Sequence, residues 1–390
     1  MLAGTMAFSL AACTGNGGNG DTKQDSGNSL TVAIWDNNQL PGLKEIMDGF
    51  AAQSGISVEL QVVPWDQYWT LLEAGAQGGD LPDVFWMHSN YSQKFMDNGI
   101  LLDLTDKIAE SQMIDMGNYY EDIAGLYQLD GKTYAIPKDY DTIGLWYNKT
   151  MFDQAGISYP DESWTWETFA EAAGKLTKED GSQYGFTSPA SFNQDGYYNL
   201  IYSMGGSVLS DDKTQSNWNS PETVQAMNWW YDNLVAKAMP TQQVMAENTP
   251  DVMLGSGKAA MVLQGSWMVA AMKGNEYIVE NCDVAVLPKS DSGKRISIYN
   301  GLGWAASAKG SNTEGAWKLL EYLGSEEAQK KQAGLGVTMS AYIGSSDTWV
   351  GCAPEFNLQA YLDMSEDMVI RPYTRNTKAW EDYSQETMVK

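Results

Sequence analysis

The sequence predicts an α/β fold divided into two lobes, and three observations carry that expectation. The chain has 390 residues, more than the roughly 100–200 typical of one domain. Beyond the first 29 residues, its apolar residues alternate between period 2 and period 3.6 in the order strand, helix, strand, helix, strand, the pattern of an open α/β sheet. The stretch YAIPKDYDTIGLWYNK, Tyr134 to Lys149, is extended and β-rich, as a passage between lobes would be.

Leu30, Val32 and Ile34 alternate with small or polar residues and predict the first strand. Pro41 opens a helix whose face carries Leu43, Ile46, Met47 and Phe50, and Gly55 stops it. Ile56, Val58, Leu60 and Val62 predict a second strand, Trp65 to Ala76 a second helix, and Leu81 to Met87 a third strand. Open sheets of this kind bind ligands beyond the carboxyl ends of their strands. Loops 35–38 and 86–90 stand at those ends. Further along, Thr165 caps a helix carrying Trp166 and Phe169, and Ser220-Pro221 gives a cap followed by Pro at the first helical position. Strands are expected at 258–267, 283–287 and 301–306, and Asn312 caps a helix with Ala316, Leu319, Leu320 and Leu323 inside. The last residues, TKAWEDYSQETMVK, read as a helix without a stop, so the natural chain is expected to run on.

The start reads as an address. Residues 1–12 are apolar and uncharged, too short to span a bilayer, which takes about 20 residues, and they fit the end of a secretion signal whose basic beginning is missing. Leu10-Ala11-Ala12-Cys13 resembles a bacterial lipobox, in which the cysteine receives a lipid. Residues 13–29 that follow hold almost nothing that burial could order and are expected to form a lipid-anchored flexible tether.

Composition narrows the partners. Lys plus Arg is 24 against 50 Asp plus Glu, a net charge of -26. Such a surface repels phosphate backbones, so nucleic acid is excluded as a partner. One histidine, His88, and three cysteines exclude a His-rich metal site and a disulfide framework. A bond between Cys282 and Cys352 stays open. No serine-elbow, P-loop, HExxH or dinucleotide-glycine motif is present, so no cofactor, no metal and no enzymatic activity are expected.

Four stretches carry a resemblance: LPDVFWMHSN (Leu81 to Asn90), the Tyr134–Lys149 stretch, MVLQGSW (Met261 to Trp267) and GLGWAASAKG ahead of the Trp317 helix. In this order they resemble the family 1 extracellular solute-binding proteins of bacterial ABC importers, the group of maltose-binding protein. The resemblance implies a two-lobed periplasmic-binding-protein-like fold with mixed sheets and a ligand cleft between the lobes, the chain crossing more than once. It implies one lobe from residues 30–140 with 301–350 and the other from 141–300 with 351–390. A sugar would bind in the cleft of a monomer held outside the cell membrane by a lipid on Cys13, and the closed form would dock on the permease. By the same resemblance Trp86, His88 and Ser89 occupy a sugar-binding loop, although Ser89 replaces the family's Asp. Asp141 stands for an inter-lobe carboxylate, Trp267 for a stacking ring and Trp380 for a late stacking aromatic.

These residue types suit a pyranose, which has an apolar CH face and a rim of hydroxyls. The chain holds 15 Trp, 21 Tyr and 9 Phe. Trp35, Trp65, Trp86, Trp267 and Trp304 are candidate platforms, and Asp36, Asn38, His88, Asp139 and Asp141 candidate hydrogen-bonding groups, because bonds to charged acceptors are the strong ones. Each ring also fits a core position and each polar group a solvated surface. Arg371 and Arg375 fit ion pairs across the hinge. A polyamine, drawn to carboxylates and ring faces, is the alternative ligand. A carbohydrate-active enzyme using paired carboxylates and a surface scaffold are the more distant ones.

Overall fold

A computed structural model of the chain describes residues 28–389. Cys13 and the leader lie outside the described residues. The first lobe is built on a five-stranded sheet. Strand β1 (Ser29–Ile34) runs parallel to β2 (Ser57–Val62), with Ser29 opposite Ser57 and Ile34 opposite Val62. It also runs parallel to β3 (Val84–Met87). Strand Gly303–Ala306 then pairs antiparallel with β3 and with Ala135–Pro137. Helix α1 (Leu40–Ser54) buries Leu43, Ile46, Met47 and Phe50 and ends at Gly55, whose φ of 72° needs a residue without a Cβ. Helix α2 (Trp65–Gly78) buries Tyr68, Trp69 and Leu72.

The second lobe centres on Ile143–Asn148, antiparallel to Met261–Gly265 on one side and Cys282–Ala285 on the other. Side chains alternate along a strand. Ile143, Leu145 and Tyr147 therefore join one core with Phe169 and Trp166, while Trp146 joins the core that continues into the first lobe. The caps stand where expected: Thr165 Oγ1 accepts from Thr168 N–H, Ser220 Oγ from Thr223 N–H, and Asn312 Oδ1 from Gly315 N–H. Cys282 and Cys352 are free thiols. Among the described residues no helix is long and apolar enough to cross a membrane.

The 134–149 stretch does pass between sheets: Ala135–Pro137 belongs to the first and Ile143–Asn148 to the second. A return passage lies between Ser297–Tyr299, which pairs with Met368–Ile370, and Gly303–Ala306. The two passages are bonded side by side. Lys138 N–H donates to Leu302 O (2.8 Å) and Asp141 N–H to Asn300 O (2.9 Å). The side chains complete the ladder, Leu302 N–H donating to Asp139 Oδ1 (2.7 Å) and Asn300 N–H to Asp141 Oδ1 (2.9 Å).

Candidate functional site

Strands β1 and β3 are neighbours and parallel, so the loops after them share one edge of the sheet. Trp35 follows β1, His88 follows β3, and Trp65 opens α2. Their rings meet edge to face: Trp35 lies 5.0 Å from Trp65, and Trp65 lies 5.4 Å from His88, between ring centroids. Behind them Tyr68, Trp69 and Trp86 continue the aromatic packing. Trp65 keeps 37% of its surface exposed and Trp35 is half-buried. The result is an aromatic wall, held rigidly from behind and open on one side. Asp36 caps the turn Asn37–Gln39, accepting from Asn38 N–H (2.8 Å) and Gln39 Nε2 (3.1 Å), and Asn38 is exposed.

His88 is the N-cap of α3 (Ser89–Asp97), its Nδ1 accepting from Asn90 N–H at 3.1 Å. Its proton therefore sits on Nε2, 3.0 Å from the side-chain amide of Asn300. The Asn300 amide oxygen has no other partner and is the group fit to receive it. Burial, and then the nearby charge of Arg371, hold the His88 pKa well below its ordinary value, so the ring is neutral.

Asp141 Oδ1 accepts from Gln194 Nε2 (2.6 Å) as well as from Asn300 N–H, leaving Oδ2 without a bond from any described residue. Burial, with the charge of Asp139 adding to it, raises its pKa well above the ordinary carboxylate range. Trp267, half-buried, sits in the turn after Met261–Gly265. Its ring lies flat across Gly265, where an added Cβ would stand 1.9 Å from a ring carbon. The space at Gly265 is thus filled by the tryptophan itself, which packs against the second core while keeping one part exposed. The helix that follows, Val269–Lys273, packs against Asn37–Gln39 of the first lobe, so the Trp267 turn and the Trp35 loop approach each other.

Five expectations need correction. Trp86 is fully buried and Trp304 is 1% exposed; they stand opposite each other on adjacent strands inside the sheet, covered on both faces, and are core. Ser89 is fully buried in the first turn of α3 and is not a surface for ligand. Both oxygens of Asp139 are occupied, Oδ2 by Lys138 Nζ (2.6 Å) and Oδ1 by Leu302 N–H, so it pins the hinge. Trp380 is not brought to the other candidates. Its Nε1 donates to Thr374 Oγ1, and it lines a separate apolar cavity of about 630 Å³ with Val208, Trp218, Met227 and Met388.

Sequence reasoning missed the loop Asn193-Gln194-Asp195. Gln194 bonds Asp141, and Asn193 Oδ1 accepts from Arg371 Nη2 (3.2 Å). Arg371, 5% exposed, also donates to Asn90 of α3 and pairs with Glu381 at 2.8 Å, while Arg375 reaches Asp97 at 3.0 Å. The signal was present: three successive amide and acid side chains directly before Gly196-Tyr197-Tyr198, in a chain where such runs elsewhere make solvated turns.

Asp195 is 8% exposed, and burial pushes its pKa up from 3.8 to about 7. The folded state therefore holds this proton more tightly than the unfolded chain. The group's contribution is favourable in full below about pH 4 and is lost as pH rises to 7, a change of up to about 4 kcal/mol at 1.36 kcal/mol per unit. Urea melts of the ligand-free protein between pH 4 and 7.5 are expected to show Asp195→Asn gaining on the parent as pH rises. A constant gap between the two would contradict the assignment.

Comparison with known proteins places these features in a family. Residues 36–330 match the model of the bacterial extracellular solute-binding proteins. The chain is 26% identical over 344 residues to the galactooligosaccharide-binding protein of Bacillus subtilis, covering 85% of this chain and 76% of that one. It is 25% identical over 337 residues to the maltodextrin-binding protein of the same organism, covering 83% and 75%. In fold it is similar to an ABC substrate-binding protein of Listeria monocytogenes solved with cycloalternan, with a TM-score of 0.85, 24% identity and coverage of 93% and 92%. The matched region includes both passages and every strand of the two sheets except β1, and the chain belongs to the bacterial extracellular solute-binding protein family.

Proposed function

We propose that the protein binds an oligosaccharide between its lobes outside the cytoplasm and delivers it to the permease of an ABC importer, as a non-catalytic monomer anchored by a lipid on Cys13. The observation that carries this reading is the exposed side of the Trp35–Trp65–His88 wall, joined through Asn300 to Asp141, whose Oδ2 lacks a partner. Aromatic faces cover the CH surface of a sugar, and Asp36, Asn38, Asp141 and the 193–195 loop hold its hydroxyls. Trp267 supplies the ring from the other lobe. The relatives named for galactooligosaccharide and maltodextrin binding support a glycan ligand. The lobes divide at 140/141 and 300/301 in this reading, with 351–390 in the second lobe.

A thermal-shift screen of mono- and oligosaccharides tests it. A ligand at 100 times its Kd raises stability by about 2.7 kcal/mol, so one oligosaccharide class is expected to stand out. Spermidine belongs in the screen, because an unpaired buried carboxylate, Asp195, favours a cationic solute. A shift with spermidine and none with any sugar would replace the glycan reading by the polyamine one.

A further inference from the structure

Among the described residues, two cationic side chains are buried, Lys138 and Arg371, and three carboxylates are, Asp139, Asp195 and Glu381. The first two pairs close on themselves: Lys138 with Asp139 at 2.6 Å, Arg371 with Glu381 at 2.8 Å. Lys138 is further occupied by Gln39 Oε1 at 3.0 Å and by the Trp86 ring face at 4.7 Å. Arg371 is further occupied by Asn90 and Asn193. Asp195 remains, and no hydrogen bond from another described residue reaches its carboxylate. Its position is fixed by its neighbours: Gln194 is bonded to Asp141 on the first passage and Asn193 to Arg371, which holds the loop against the junction of the lobes. Asp141 Oδ2 adds a second unused acceptor there.

We infer that this cleft selects uncharged glycans against glycans carrying a carboxylate, sulfate or phosphate, and that Asp195 is the residue that enforces the choice. The inference rests on the glycan reading of the cleft and goes beyond it by assigning the ligand's charge. A sugar hydroxyl donates to Asp195 or Asp141, so a neutral glycan satisfies the acceptors that the fold leaves open. An anionic group entering the same space loses its hydration, finds both buried cations already paired, and meets a like charge at Asp195. The net charge of -26 opposes its approach as well.

The test uses matched pairs: maltotriose and galactotriose, each beside its C6-carboxylated counterpart, titrated calorimetrically into the whole protein at pH 9, where Asp195, whose pKa burial pushes up to about 7, is ionised. The neutral member of whichever pair binds is expected to bind at least about 100-fold more tightly than its carboxylated form. Asp195→Asn is expected to narrow that ratio at least tenfold, whatever it does to either affinity alone. Equal affinities in the parent protein, tighter binding of the carboxylated form, or an unchanged ratio in Asp195→Asn would overturn the inference and leave the glycan reading standing. Binding of none of the four sugars would count against the glycan reading and remove the inference with it. The parent ratio decides the charge preference without any variant.

Discussion

Replacing Arg371 by Ala is expected to lower the unfolding free energy by about 3–5 kcal/mol, the usual cost of removing one partner from a buried ion pair. The guanidinium is 5% exposed and Glu381 2%. Without Arg371 the Glu381 carboxylate is left inside the protein, where burial already raises its pKa against the opposing pull of the arginine. Asn90 and Asn193 lose their donor too, so α3 of the first lobe and the 193–195 loop come loose from the C-terminal helix Thr377–Met388 together. Urea melts read the loss. The double change Arg371→Met with Glu381→Met is expected to recover most of it, because it leaves no orphan charge. A single-variant loss below about 1 kcal/mol would mean that the pair contributes as little as a surface one.

Trp86→Ala and Trp65→Ala are expected to divide cleanly between stability and binding. Trp86 is fully buried between β1 and Gly303–Ala306, with Trp35 at 4.8 Å on one side and Lys138 over its ring. Its truncation opens a cavity in a central strand and is expected to cost about 3–5 kcal/mol of stability. Trp65, 37% exposed, is expected to cost about 1 kcal/mol or less in stability. In the proposed site it is an anchor, and its loss should weaken glycan binding by about 2–4 kcal/mol, roughly 30- to 1,000-fold. Calorimetry with the sugar from the screen, paired with urea melts, separates the two. Unchanged affinity in Trp65→Ala would remove that ring from the site.

What was legible in the sequence was what local chemistry decides. Caps, apolar periods and the C-terminal glycine of α1 lie within a few residues of the elements they control, so Gly55, Thr165, Ser220 and Asn312 could be read directly. The loops at the ends of β1 and β3 were legible as well, because the ends of parallel strands fall on one edge. The buried tryptophans were not. Trp86 and Trp35 both stand near strand ends next to polar residues. Only the pairing of Gly303–Ala306 against β3, from more than two hundred residues away, covers the one and leaves the other half-exposed. Asp139 and Asp141 posed the same difficulty. They are two residues apart and look equivalent, yet Lys138 closes one and leaves an oxygen of the other free. The role of the 193–195 loop is wholly a matter of tertiary contact, since Gln194 finds Asp141 across 53 residues of chain.

The paired passages at 138–141 and 300–302 have a mechanical consequence. Two strands bonded side by side cannot slide along each other without breaking every rung at once. They can twist about their common axis while each rung yields only slightly. The connection therefore acts as a torsion bar, and rotation of one lobe against the other is the soft degree of freedom that it permits. The amide protons of Lys138, Asp141, Asn300 and Leu302 belong to the bar itself, so their exchange with deuterium should stay slow whether the lobes stand apart or together. The balance between those two states is then set away from the bar, where the lobes touch: at the Trp35 loop and the turn that carries Trp267, and at Arg371 between Asn90 and Asn193.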